Sequence, residues 1–241
     1  MVFHRYESRF AAGILLTEFI NETNKELKSS ISRNSTNFFC FAIPNGGVPV
    51  TEGFCSKYNL NYDVLIVRKI KIPYNTEAGF GSVTTDGTVL INEPLLNQLN
   101  LSKQEVEKSI DLTKREIKER LRFYNKDINL EQFYKNKITN KQIFILDDGL
   151  ASGFTMLAAI KMIKKYHPQK IFIAVPTAPL STVNRVEKEG DKIFCPNIRN
   201  VMWFAVADAY KNWYDVPESE VMKIINSSNY YYFNKNFHNS I

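Results

Sequence analysis

The sequence predicts an α/β fold, with a central, mainly parallel sheet flanked by helices. Three observations lead there. Strand-length apolar runs, namely Phe38–Ile43, Val64–Val67, Ile143–Leu146 and Lys170–Pro176, recur along the chain. Segments with helical spacing of apolar residues lie between them, and that alternation places helices over a parallel sheet. The chain has 241 residues, 44% hydrophobic and 23% charged, which suits one well-buried core.

In chain order, residues 8–28 read as one amphipathic helix, with Phe10, Ile14, Phe19 and Ile20 near one face. Phe38–Ile43 is a buried strand that runs into a tight loop, Pro44-Asn45-Gly46-Gly47. Pro49 suits the first turn of a helix reaching about Tyr58. Val64–Val67 is a second strand, ending in Arg68-Lys69. Gly81–Thr85 and Thr88–Ile91 flank Asp86-Gly87, a strong hairpin signal. Ser102 and Glu105 make a capping box for a long helix with Val106, Ile110, Ile117, Leu121 and Tyr124 along one side.

Ile143–Leu146 is the third strand, and a helix follows over Thr155–Lys165. Lys170–Pro176 is the fourth, with a helix over 180–189 and strand candidates at Lys192–Cys195 and Val201–Ala205. Residues 1–226 form a single domain, and 227–241 are a tail rich in Asn, Tyr and Phe, either frayed or docked on a neighbouring subunit.

The net charge of +6 favours anionic partners, but the basic residues are scattered among acids, so a nucleic-acid stripe is not expected. Cys40, Cys55 and Cys195 lack any C-x-x-C spacing and read as buried reduced thiols. His4, His167 and His238 do not cluster, which argues against a histidine metal site. The apolar stretch Ala11–Leu16 is too short for a signal-peptide core or a membrane span, so the expectation is a cytoplasmic protein with no membrane partner.

The segment that carries chemistry is Asp147–Thr155. An apolar strand ends at two carboxylates, Asp147 and Asp148, and a loop of small residues then opens a helix. Backbone N–H groups at a helix start, with the Ser152 and Thr155 hydroxyls, make a phosphate cradle, and Gly153 permits close backbone approach. The paired acids suit the vicinal hydroxyls of a sugar, because a hydroxyl donates well to a charged acceptor. A phosphate and a diol held side by side describe ribose 5-phosphate. The bland alternative is a capped strand–turn–helix, which the order of strand, Asp-Asp, Ser-Gly-x-Thr and helix outweighs.

These residues resemble the PRPP-binding motif of type I phosphoribosyltransferases, and the chain is similar to the group of predicted phosphoribosyltransferases within that family. The resemblance rests on an opening like Phe3–Gly13, Pro-x-Gly-Gly-Val-Pro-Val, Val-Arg-Lys-Ile, the Gly-x-Val…Asp-Gly-Thr-Val hairpin and Asp147–Thr155. It spans about residues 1–226 and implies the type I fold with a small hood and a flexible β-hairpin loop.

It further implies that Asn45, Gly46 and Gly47 hold pyrophosphate near a non-proline cis peptide, and that Ala151, Ser152, Gly153, Phe154 and Thr155 hold the 5-phosphate. Asp147 and Asp148 are implied at the ribose, with Mg²⁺ bound at them directly or through water or PRPP. Related sequences usually carry Arg where this chain has Asn45, so one cation is missing. Arg68 and Lys69 are implied in the loop that closes over PRPP. Neighbours on a strand point opposite ways, so one of them faces the site and the other is solvated. Glu77 is a polar contact or general base in the same loop. Ala151 cannot take a proton from a base ring, which leans away from 6-oxopurines. Met202–Val206, Ala209 and Tyr210 either supply aromatic faces for a base or belong to the core.

The function implied is Mg²⁺-dependent transfer of ribose 5-phosphate from PRPP to a nitrogenous base or amine, with a homodimer left open. The alternatives are a non-catalytic PRPP or nucleotide-binding regulator and, more distantly, a phosphoribosyl hydrolase or phosphorylase-like enzyme.

Overall fold

The alternation read from the sequence becomes a five-stranded parallel sheet in a computed structural model, which describes residues 5–124, 126 and 129–233. Its strands are β1 (Phe38–Ala42), β2 (Tyr62–Val64), β6 (Gln142–Leu146), β7 (Lys170–Ala174) and β9 (Lys192–Phe194), in the order β2-β1-β6-β7-β9. Apart from Asp63 and the polar first residues of β6, β7 and β9 they are apolar, because both faces are covered. Phe38, Cys40, Ala42, Phe144 and Leu146 share one core with helices α1 (Arg9–Thr23) and α3 (Gly47–Tyr58). The alternate residues Phe39, Phe41, Ile143 and Ile145 share a second core with α6 (Leu130–Ile138) and α7 (Phe154–Lys164).

A separate antiparallel sheet holds β3 (Val67–Ile72), β4 (Asn75–Thr84) and β5 (Val89–Ile91), joined by the expected turn with Gly87 at φ 83°. Helix α4 (Glu93–Leu96) leads to α5 (Lys103–Phe123), whose Ser102–Glu105 capping box forms as read and which packs on β3. Two short parallel strands, β8 (Thr177–Pro179) and β10 (Asn197–Arg199), stand apart, with α8 (Leu180–Val186) between them. Helix α9 (Glu218–Ser227) closes the domain.

Several expectations are corrected. The helix over 8–28 breaks at Asn24, whose side chain accepts from Leu27 N at 3.1 Å and starts α2 (Lys25–Arg33); an Asn that caps competes with the helical backbone. The strand over Val64–Val67 is two strands: β2 stops at Val64, and Val67 begins β3 in the other sheet. The run Lys170–Pro176 leaves the sheet after Ala174, and the helix over 180–189 ends at Val186. Val201–Ala205 is no strand. Helix α6 has no counterpart in the sequence reading; it is capped by Asn129, which accepts from Gln132 N, and buries Phe133, Tyr134 and Ile138.

The beginning of the tail is packed on the domain: Tyr231 is buried against Tyr62, and Tyr62 N–H donates to Tyr230 O at 2.9 Å, which covers the sheet's β2 edge. Residues 234–241, with His238, and Phe3 and His4 lie outside the described residues. All three cysteines are free and buried, and burial pushes the Cys195 thiol up to about 12. No helix among the described residues is long and apolar enough to cross a membrane.

Candidate active site

Strands β1 and β6 are parallel neighbours in the register Ala42↔Leu146, so the loops that follow them emerge side by side at the carboxyl edge of the sheet. The first is Pro44–Gly47, with a cis peptide between Pro44 and Asn45; the second is Asp147–Thr155. They touch. A Cβ on Gly46 would lie 1.9 Å from Asp148 Oδ2, so no other residue lets this loop reach the acids without displacement. One on Gly47 would lie 2.9 Å from Leu146 O. Sequence candidates a hundred residues apart thus share one edge of the sheet.

The two acids are not equivalent. Asp147 Oδ1 accepts from Asp148 N at 2.8 Å. Asp148 Oδ2 accepts from Arg9 Nε at 2.7 Å, and the Arg9 side chain is 5% exposed. The Arg9 guanidinium lies over the rings of Trp213 at 4.1 Å, Tyr214 at 5.3 Å and Tyr210 at 5.5 Å. Tyr210 Oη donates to Asp148 O at 2.7 Å. Burial, reinforced by the charge of Asp148, pushes the Asp147 carboxyl well above the usual carboxylate range. Burial raises Asp148 too, against the opposing pull of Arg9. The ion pair therefore favours the charged form of Asp148 more than that of Asp147.

The cradle Ala151–Thr155 is held from α8. Thr182 Oγ1 donates to Ala151 O at 2.6 Å, and Arg185 Nη1 donates to Ser152 O at 3.0 Å. Ser152 Oγ accepts from Phe154 N at 3.4 Å, and the first-turn amides of α7 have no partner within the helix. Gly153 sits at φ 76°, and a Cβ there would come within 2.7 Å of Thr182 Cγ2. The glycine thus serves a left-handed turn and close packing of α8, a need not visible in the sequence. Gly153→Val is expected to lower unfolding stability by roughly 2 kcal/mol as well as to disturb the cradle, measured by urea denaturation. Wild-type stability in the variant would show that α8 yields.

Arg68 and Lys69 lie inside β3, not at a strand end. Arg68 is half-buried, and its Nε is buried with no hydrogen-bond partner among the described residues. Lys69 is exposed and donates to the carbonyl of Glu77, so it belongs to the hairpin's own surface, and the Glu77 side chain is exposed beside it. Both ends of the Asn45 side chain are engaged: Nδ2 donates to Val216 O at 2.9 Å, and Oδ1 accepts from Arg120 Nη1 at 3.1 Å. Arg120 also pairs with Glu218. Ala209 and Tyr210 are buried, whereas Met202 and Trp203 are 91% and 86% exposed, so the core reading fails for these two.

Arg9, Arg120, Arg185 and Trp213 escape sequence reasoning as site residues. Each meets the site only through the fold, and only Arg9 lies within a segment, Phe3–Gly13, that the sequence singles out.

Comparison with known proteins gives the family and the fold. The family description "Phosphoribosyl transferase domain" matches residues 16–213. Two Mycobacterium tuberculosis proteins, of strains CDC 1551 / Oshkosh and H37Rv, each named "Putative phosphoribosyl transferase", are 27% identical over 187 residues, 76% of this chain. The match covers 40% of their length, so the chain spans less than half of these relatives. The crystal structure of TT1426 from Thermus thermophilus shares the fold, with a TM-score of 0.69 at 22% identity, over 92% of this chain and 97% of that one. With most of its length matched, and the diglycine and Asp-Asp loops meeting at one sheet edge, the chain belongs to the phosphoribosyl transferase domain family.

Proposed function

We propose that this chain transfers ribose 5-phosphate from PRPP to a nitrogenous base or amine and releases pyrophosphate. The observation that carries the reading is the contact between the two loops, which sets an acid pair beside both a diglycine turn and the start of α7. In this reading the amides of Ser152–Thr155 hold the 5-phosphate, the acid pair takes the ribose hydroxyls, and the Pro44–Gly47 amides face the diphosphate. A bond forms from the acceptor nitrogen to ribose C1 as the C1–O bond breaks, and pyrophosphate departs with the electron pair. The chain's work is to orient the sugar and keep water from C1.

As direct metal ligands Asp147 and Asp148 do not fit well. Asp148 Oδ2 already meets a guanidinium at 2.7 Å, and no group of three or more His, Cys, Asp or Glu side chains suited to a metal gathers among the described residues. Mg²⁺ therefore enters the proposal as part of the substrate, carried on the diphosphate oxygens.

Asn45→Arg restores the family's cation in sequence but is not expected to raise turnover. It deletes the acceptor of Arg120, leaves the Val216 carbonyl without its donor and sets two guanidiniums together. A stability loss of about 1–2 kcal/mol and no gain in pyrophosphate release are expected, read by thermal melting and a coupled pyrophosphate assay. A clear rise in turnover would show that Arg120 gives way.

The function itself is tested by a panel of nucleobases and simple amines with PRPP and Mg²⁺, following pyrophosphate. Release above background with at least one acceptor is expected. PRPP binding with background release throughout would favour the regulatory alternative, to which neutral Asn45 and the occupied Asp148 already lend some weight.

A further inference from the structure

We propose that Arg9 is a positioning residue for ribose recognition: it pins Asp148 by one oxygen so that the other is presented to the sugar diol. The inference rests on the proposed ribose site and adds to it a residue from outside the motif.

Arg9 is fixed from both sides. It is the first residue of α1, whose cap Ser8 accepts from Ala11 N at 3.1 Å. Just before it, Tyr6 is bonded to the segment 206–214: its N–H donates to Ala209 O at 2.8 Å, and its carbonyl accepts from Lys211 N at 2.9 Å. The same segment supplies Tyr210, Trp213 and Tyr214 around the guanidinium. Those rings and the side chain's burial hold the guanidinium in place, and Nε points at Asp148 Oδ2. A cation built to grip a phosphate would present its fork to open space; this one is packed among rings and aims a single N–H at a carboxylate. The carboxylate lies against Gly46, at the junction of the two candidate loops. Freed from Arg9, Asp148 has two oxygens and a rotatable χ2 with which to meet a diol; pinned, it has Oδ1 in one orientation.

The test compares binding of the methyl riboside 5-phosphate with its 2,3-dideoxy analogue by calorimetry, in wild type and in folded Arg9→Met, Arg9→Gln and Arg9→Lys. Wild type is expected to prefer the diol by roughly tenfold or more. Arg9→Met and Arg9→Gln are expected to lose most of that preference while binding the dideoxy ester as wild type does. Arg9→Lys is expected to recover it to within about threefold, since an ammonium also pairs with Asp148. If Arg9→Met does not fold, the Gln and Lys variants decide. Full preference in a folded neutral variant overturns the positioning role and leaves the ribose site standing. A wild type that binds neither ester, or does not distinguish them, overturns the ribose site itself and this inference with it.

Discussion

Asp147→Asn is expected to weaken PRPP binding roughly 2- to 12-fold, the loss of one hydrogen bond of about 0.5–1.5 kcal/mol to a sugar hydroxyl, and at the same time to raise thermal stability. The second effect follows from burial. Asp147 sits in the folded protein with its carboxyl held well above the ordinary value of 3.8, because desolvation and the adjacent Asp148 disfavour its charge. A group whose folded pKa lies above its unfolded one contributes stability that is full below the unfolded value and is lost as pH rises through the folded value. The contribution of Asp147 to the stability of the ligand-free protein should therefore fall from about pH 4 upward. Asn, which never ionises, removes this loss and can still accept from Asp148 N through its carbonyl oxygen. The melting temperature of Asp147→Asn should exceed that of wild type near neutral pH and converge with it in acid. Asp148→Asn should weaken binding similarly but lower stability, since it strips the buried Arg9 of its counter-charge. Wild-type PRPP affinity in both variants would remove the acid pair from the site.

Lys126→Met is expected to destabilise the fold by about 3–5 kcal/mol in urea denaturation. Lys126 and Asp63 form an ion pair with side chains 1% and 0% exposed, and Lys126 Nζ also donates to Val64 O at 3.0 Å. Burial disfavours both charges: it raises the Asp63 carboxyl and lowers the Lys126 ammonium, while each partner opposes the other's shift. Removing one partner strands the other charge. The double variant Asp63→Asn/Lys126→Met should recover most of the loss, because a pair removed together leaves no uncompensated charge. A single-variant loss below about 1 kcal/mol would mean that water reaches Asp63. The pair matters to the site because Asp63 lies in β2, at whose end the chain turns into the β3–β4 hairpin carrying Arg68.

Much of the scaffold was legible in the sequence. The apolar runs located β1, β6 and β7; Asp86-Gly87 announced a hairpin; and Ser102 with Glu105 announced α5. Each of these signals is local: a periodicity, a turn residue with its required φ, a cap three residues from its partner. The motif Asp147–Thr155 was legible for the same reason, since strand, acids, small-residue loop and helix are contiguous. Misreadings arose where two local signals compete. Asn24 stops a helix whose apolar pattern continues, and Val64–Val67 reads as one apolar run although the chain changes sheets within it.

What only the tertiary structure decided is which distant side chains meet the motif. Arg9 reaches Asp148 across 139 residues, and Arg120 reaches Asn45 across 75. No spacing rule links such pairs, because they are brought together by strand order and by the packing of α1, α5 and the segment 206–214. The same packing gave Gly153 its reason, the side chains of α8 filling the space a Cβ would need. By itself the sequence determined the sheet's main strands and the strand–Asp-Asp–small-residue-loop–helix order of the candidate site. The burial of the acids, the ion pair that makes them unequal and the ring cage that holds it come from contacts across the fold, which local patterns do not encode.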